Sequence, residues 1–140
     1  MKNQKIMKTQ MIKAALLLLF PLLFATTAFA QTDWKAPASA DKITNPLKGD
    51  VAATAAGKKI YKQMCAICHG AKGKGDGMAA MSLKPKPANF MNKDLQSQTD
   101  GAIYWKLTEG KAPMASYKAT LKDEQRWQLV NYIRTLKGKK

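Results

Sequence analysis

Apolar residues follow the period of an α-helix in the stretch 51–64. One face of this stretch, at positions i, i+3, i+4 and i+7, is formed by Gly57, Ile60, Tyr61 and Met64. Asp50 stands before the first turn, where a carboxylate accepts hydrogen bonds from the unpaired N–H groups of a helix. A glycine inside a helix costs about 1 kcal/mol relative to alanine, so Gly57 indicates the close approach of another helix. The pattern predicts a helix from about Val51 to Met64.

Two more helices are predicted further along the chain. The second follows Thr99 as its N-cap, covers about residues 100–109 and ends at Gly110. The third has Asp123 and Glu124 at its positive N-terminal end. Its apolar face has the same helical spacing and is formed by Leu129, Tyr132, Ile133 and Leu136. The chain offers no convincing strand, so we predict an all-α fold with three main helices.

The first 30 residues have the pattern of an export signal. Four lysines precede an apolar run at 14–24, and Ala28-Phe29-Ala30 fits the small-x-small rule for cleavage. We expect the mature chain to start at Gln31. An uncleaved membrane anchor is the alternative, but the run contains a proline and is shorter than the roughly twenty residues of a spanning helix. We therefore expect a periplasmic protein with no permanent membrane anchor.

Two parts are predicted for the chain that follows the signal. Residues 31–49 contain two prolines and no apolar period, which is typical of an arm rather than of a core element. Residues 50–140 are expected to form one small domain.

The chain is strongly basic. It has 24 Lys and Arg residues against 9 Asp and Glu residues, which gives a formal charge of +15. Loss of a signal that holds four lysines and no acidic residue would leave +11 (15 − 4). Such a charge could attract nucleic acid, but export from the cytoplasm argues against that partner.

The candidate chemistry lies in Cys65-Ala66-Ile67-Cys68-His69, a C-x-x-C-H motif. In an exported protein this motif indicates covalent attachment of a c-type haem. On a helix the two cysteines share one face, where their sulfurs can bond to two vinyl carbons at one edge of a porphyrin. The histidine that follows can bind the iron from one side. Because this histidine is the only one in the chain, we expect one haem.

Two other functions of the motif are weaker. A redox dithiol of the C-x-x-C type is expected within a βαβ unit, and no strand is predicted nearby. A structural zinc site needs four Cys or His ligands, and the sequence supplies three.

Three marks together make the chain resemble the class I c-type cytochromes from about residue 50 to residue 136. A helix with Gly57 and Tyr61 leads into the attachment motif, a methionine loop follows the helix stop at Gly110, and an aromatic closing helix ends the domain. The resemblance implies a cytochrome c fold, with three main helices packed around one covalent haem. It also implies that the first and last helices cross where Gly57 and Tyr61 meet Leu129 and Tyr132.

The resemblance implies two further details around the haem. The backbone carbonyl of a proline in the stretch 85–87 is expected to accept the Nδ1–H of His69 and so to fix the ring. Lys122 stands where the family often has a capping serine, so we expect a looser start for the third helix.

The sixth ligand of the iron is predicted to be Met114. Met64 precedes the motif and would lie on the same side as the histidine, and Met78 could round the porphyrin edge only if the chain between were stretched, at about 3.3 Å per residue. Met81 and Met91 have enough chain and remain alternatives. Met114 has ample chain, follows a helix stop and matches the methionine loop of the family.

A His/Met pair fills both axial positions, leaves the iron no ready place for a substrate and raises the reduction potential. We therefore predict a monomeric one-electron carrier, and not an enzyme, that shuttles electrons between redox proteins outside the cytoplasmic membrane. One alternative is the electron-entry subunit of a larger oxidase or dehydrogenase. Another is a haem peroxidase or gas sensor, which is disfavoured because no second histidine or acid/base couple is present.

Basic residues occupy each segment that is expected to border the haem edge: Lys72, Lys74, Lys84, Lys86, Lys111 and Lys118. A positive surface there would orient an acidic partner and speed its encounter. We predict acidic redox partners, such as a terminal oxidase or reductase.

Overall fold

The computed structural model describes residues 34–138, and the chain from Lys35 onward forms one compact unit. The predicted export signal and its cleavage site lie outside the described residues. The described part contains five α-helices: α1 (Val51–Met64), α2 (Ala66–His69), α3 (Lys93–Gln96), α4 (Asp100–Glu109) and α5 (Asp123–Thr135). Two 3₁₀ segments cover Ala40–Lys42 and Met78–Ser82.

The predicted all-α fold is confirmed. Residues 34–138 contain no β-strand, and an isolated bridge joins Lys111 to Met114. None of the helices between these limits combines the length and the apolar composition that crossing a membrane requires.

Local capping explains where the main helices begin. Asp50 accepts a hydrogen bond from the Ala53 N–H at 2.9 Å, and Thr99 Oγ1 accepts one from the Ala102 N–H at 3.0 Å. A lysine side chain has no acceptor, so Lys122 cannot cap α5 in this way. Instead, the side chain of Gln125 accepts the backbone N–H of Lys122 at 2.8 Å. This bond is half of a capping box. It fixes the start of α5, which we had expected from the sequence to be looser.

Helices α1 and α5 cross at Gly57, as predicted. A Cβ atom at Gly57 would lie 1.9 Å from the carbonyl oxygen of Gln128, so only glycine allows the two backbones to approach this closely. Tyr61 and Leu129 are both 0% exposed at this crossing, and the rings of Tyr61 and Tyr132 lie 5.1 Å apart. The crossing therefore forms the centre of the core and fixes the end of α1, where the attachment motif begins.

Residues 35–49, predicted as an arm, pack within the same compact unit as the helices. The buried Asn45 side chain donates to Asp100 of α4 at 2.9 Å and to Asn131 of α5 at 2.8 Å. Asp100 also accepts from Arg134 Nε at 2.6 Å. Because a buried amide is costly when unpaired, this network holds residues 35–49 against both helices.

Candidate functional site

The attachment motif forms one tight helical turn at the end of α1. Cys65 is the C-cap of α1 and the N-cap of α2, and its carbonyl accepts the N–H groups of Cys68 at 3.1 Å and of His69 at 2.9 Å. Both thiols are free, with Cys65 buried and Cys68 half-buried. Burial raises the pKa of the Cys65 thiol to about 12. The structure therefore presents two unbridged thiols three residues apart on one turn.

His69 is buried and its ring is fixed on two sides. Its Nδ1 lies 3.0 Å from the carbonyl oxygen of Ala88, and its ring stacks on Phe90 with 4.3 Å between centroids. Burial lowers the pKa of His69 although the bond to Ala88 opposes this change, so the ring is neutral at pH 7. A neutral ring that donates from Nδ1 to Ala88 keeps the lone pair of Nε2 for a metal.

Our prediction of the residue that accepts the hydrogen bond from His69 Nδ1 was wrong. We expected the carbonyl of Pro85 or Pro87, whereas the carbonyl of Ala88 takes this position. The reason is the register of the loop, which is set by a 2.6 Å hydrogen bond from the Phe90 N–H to the Gly73 carbonyl. With Phe90 held against the imidazole, Ala88 lies opposite Nδ1.

The glycine-rich turn after the motif is hydrogen-bonded to the carboxyl end of the motif. Gly70, Gly73 and Gly75 have φ values of 79°, 74° and 75°, which side chains rarely tolerate. The Gly75 N–H donates to the carbonyl of His69 at 2.8 Å, and the Tyr61 hydroxyl donates to the carbonyl of Gly70 at 2.6 Å. The turn thus ties the motif to the α1–α5 crossing.

The loop that carries Met114 is attached to α4 and α1. Met114 is half-buried and packs against the core. Three residues on, the Tyr117 N–H donates to the carbonyl of Leu107 in α4 at 3.0 Å. The Tyr117 hydroxyl donates at 3.3 Å to the carbonyl of Met64, the residue before Cys65. The structure therefore brings the methionine loop next to the first cysteine of the motif.

The other candidate methionines lie in different surroundings. Met78 and Met81 are 83% and 91% exposed on the 3₁₀ segment Met78–Ser82. Met91 is half-buried, and its side chain lies close to Gly138 beyond α5. Among Met81, Met91 and Met114, the side chain of Met114 is the one that packs against the core, and its loop is tied to the residue before the motif.

The donor set fits a c-type haem. Two free thiols share one turn, a neutral imidazole beside them has Nε2 available, and a thioether stands on a loop that is hydrogen-bonded to Met64 just before that turn. Within residues 34–138, no group of three or more His, Cys, Asp or Glu side chains could hold a metal ion. The described residues therefore do not form the zinc site considered above.

Ala88, Phe90 and Tyr117 support the site but were not singled out from the sequence. Phe90 packs in the core and against Gly73, and a lone aromatic in a stretch without apolar periodicity gives no sign of its partner. Tyr117 stands three residues after Met114, and this closeness to the methionine loop is the one signal that could have identified it.

Comparisons with known proteins agree on one class. The family model described as cytochrome c oxidase, cbb3-type, subunit III, matches residues 52–133. Cytochrome c6 of Leptolyngbya boryana is 35% identical over 79 residues, which cover 56% of this chain and 87% of that protein. In the reducing HAO-like protein complex of Kuenenia stuttgartiensis, one chain is similar with a TM-score of 0.60 and 31% identity. The match covers 69% of this chain, which spans 50% of the length of that one.

Proposed function

The chain belongs to the c-type cytochrome family described as cytochrome c oxidase, cbb3-type, subunit III, and from this premise we propose that it transfers single electrons between redox proteins outside the cytoplasmic membrane. The family implies one covalent haem c, and the domain is an electron carrier and not an enzyme. The haem supplies the iron that changes between Fe(III) and Fe(II).

The chain's own residues hold and orient the group. Cys65 and Cys68 would form the two thioethers, and Nε2 of His69 and the sulfur of Met114 would bind the iron. The carbonyl of Ala88 accepts the Nδ1–H of His69, which fixes the ring and would keep Nε2 directed at the iron. The core around Tyr61 excludes water. Fixed ligands change little with oxidation state, which suits rapid electron transfer.

One observation carries this proposal: the hydrogen-bonded imidazole of His69 follows directly on a turn with two unbridged thiols. The test is denaturing electrophoresis with a haem stain on protein matured in a host that attaches haem c. The wild-type band should stain, and Cys68→Ser should give little stained protein. A colourless wild-type band would refute the proposal.

The proposed partners are acidic redox proteins, such as a terminal oxidase or reductase. The six lysines that border the site in the sequence are all exposed: Lys72, Lys74, Lys84, Lys86, Lys111 and Lys118. Exposed positive charge steers an acidic partner and makes the rate of transfer depend on salt. A rate that does not change with salt would contradict this choice of partner.

A second candidate is a cytochrome subunit within a larger complex. It is favoured by the similarity to one chain of the Kuenenia stuttgartiensis complex. Our chain spans half the length of that chain. Gel filtration of extracts under native conditions separates the two. We expect the haem-stained protein to elute as a monomer, and elution in a stoichiometric complex would favour the second candidate.

We also propose that the protein is exported and cleaved after Ala30. Haem c is attached outside the bacterial inner membrane, and the first 30 residues carry the pattern of an export signal. Sequencing of the amino terminus of the mature protein should return Gln31 as its first residue, and Met1 as the first residue would refute cleavage.

A further inference from the structure

Three large apolar side chains are exposed beside the attachment turn. Ile67 is 54% exposed, Met78 is 83% exposed and Met81 is 91% exposed. Met78 and Met81 are three residues apart on a 3₁₀ segment, so they project from the same side of it. We call these three side chains the apolar patch.

The two elements that carry the apolar patch are packed together. The Gly77 N–H donates to the carbonyl of Cys68 at 3.1 Å. A Cβ atom at Gly77 would lie 2.3 Å from the carbonyl oxygen of Ile67. The 3₁₀ segment that follows Gly77 is therefore held against α2, which places the two elements that carry the apolar patch side by side.

A basic groove adjoins the apolar patch. It has a volume of about 490 Å³ and is lined by Lys72, Lys74, Asp76 and Met78, together with backbone of the glycine-rich turn. The ion pairs Arg126–Asp123 and Arg134–Asp100 contain neither Lys72 nor Lys74. Met78 belongs to both features, so exposed apolar surface and lysine side chains meet at this residue.

We propose that the apolar patch and the basic groove form the docking face for the acidic redox partner. The partner would cover Ile67, Met78 and Met81 with an apolar surface and place carboxylates against Lys72 and Lys74. Ile67 lies between the two cysteines that are proposed to carry the haem, so a partner on this residue would contact the attachment turn itself. The contact is therefore on the attachment side of the haem, and not on the loop around Met114.

Other occupants of this face fit less well. A second copy of a chain with a formal charge of +15, or +11 after loss of the signal, would be repelled. An anionic membrane would match the charge, but it would cover the turn from which electrons must leave. An acidic protein with an apolar centre satisfies both features and leaves a path for the electron.

This inference rests on the proposed function, and its test uses the haem-loaded protein. An acidic blue-copper protein in its oxidised form serves as the probe. Stopped-flow absorbance gives the bimolecular rate of electron transfer to this probe at two salt concentrations, about 0.01 M and about 1 M. Between them the Debye length falls from about 30 Å to about 3 Å. The apolar variant is Met78→Gln with Met81→Gln, and its control is Val51→Gln. Val51 is 82% exposed and begins α1, about 20 Å of helix before the motif.

The apolar variant should react about fivefold more slowly at both salt concentrations, because it buries less apolar surface on docking. Reversal of Lys72 and Lys74 to Glu should slow the reaction about tenfold at low salt, because it removes steering, and should have little effect at high salt. The control at Val51 should react like the wild type. All variants should keep the reduction potential of the wild type.

Several outcomes would overturn the docking face. One is an unchanged rate in the apolar variant. Another is a larger effect from reversal of Lys111 and Lys118 than from the groove pair, which would place the contact on the Met114 loop. Loss of binding to phosphatidylglycerol vesicles by the apolar variant, with normal transfer to the probe, would assign the face to a membrane. A dimer that requires Met78 and Met81 would assign it to a second copy.

The two proposals fail in different ways. Normal haem content and potential, together with unaffected rates in both double variants, would overturn the docking face alone. A wild-type protein that takes up no haem would overturn the proposed function, and the docking face with it.

Discussion

Replacing Gly57 with alanine tests the geometry that fixes the attachment motif. From helix propensity alone, Gly57→Ala should stabilise α1 by about 1 kcal/mol. The structure predicts the opposite sign. A Cβ atom at this position would lie 1.9 Å from the carbonyl oxygen of Gln128 and 2.5 Å from its carbonyl carbon. Both are backbone atoms of α5, and backbone cannot rotate away as the end of a side chain can.

The size of the effect follows from the separation that the methyl group would impose. A carbon atom and a carbonyl oxygen come no closer than about 3.3 Å, so α1 and α5 would have to part by about 1.4 Å. That displacement opens the packing around Tyr61 and Leu129, both 0% exposed. Overpacking against backbone costs about 3 kcal/mol, and the gain in propensity returns about 1 kcal/mol. We expect a net loss of about 2 kcal/mol, a large share of the roughly 5–15 kcal/mol of a small domain.

Urea denaturation of the haem-loaded protein, followed by far-UV circular dichroism, measures this loss. Ala55→Gly is the matched control because Ala55 is exposed on the same helix. It isolates propensity and should lower the free energy of unfolding by about 1 kcal/mol. A Gly57→Ala protein as stable as the wild type, or more stable, would refute the close crossing of α1 and α5.

Met114→Ala should remove the weak long-wavelength sulfur-to-iron band of the oxidised protein, lower its reduction potential and let cyanide bind quickly, whereas Met81→Ala should do none of this. Visible spectra and a redox titration measure these effects. Loss of the band in Met81→Ala alone would refute Met114 as the sixth ligand. Asp100→Asn tests a pH effect, measured as the free energy of unfolding against pH. Burial raises the pKa of Asp100, but hydrogen bonds from Asn45 and Arg134 outweigh this and hold it below its ordinary value of 3.8. A carboxyl group whose pKa is lower in the folded than in the unfolded state stabilises the fold above its unfolded pKa, and this stabilisation is lost as the pH falls through its folded pKa. The wild type should therefore lose more stability than the variant on acidification below pH 3.8. Parallel curves of stability against pH would contradict this.

The sequence predicted best what local chemistry controls. Asp50 and Thr99 mark helix starts because a capping side chain acts on backbone within its own first turn. The α1–α5 crossing could be predicted from Gly57 and its aromatic neighbours, since the resemblance to class I cytochromes supplied the partner helix. The start of α5 depends on a hydrogen bond between the Gln125 side chain and the backbone of Lys122. We missed this local interaction because we considered only the residue at the N-cap.

What the sequence could not supply was pairing across long loops. The acceptor for His69 lies 19 residues away at Ala88, and its choice depends on the register of a loop with no periodic pattern. Asn45 meets Asn131 across 86 residues, and a single asparagine within a proline-containing stretch carries no sign of that partner. The cysteines and the histidine were recognisable because the motif places them within five consecutive positions.

The buried Asn45 also determines how this cytochrome could be transplanted into another protein. A segment cut at residue 50, where the first main helix begins, would leave buried Asn131 without the Asn45 amide, and Asp100 would keep the bond from Arg134 but lose that from Asn45. An unpaired buried polar group costs about 1–3 kcal/mol, so such a graft would be less stable while keeping every proposed haem ligand. The smallest portable unit therefore begins near residue 35, and a tether to a host enzyme or an electrode belongs ahead of that point.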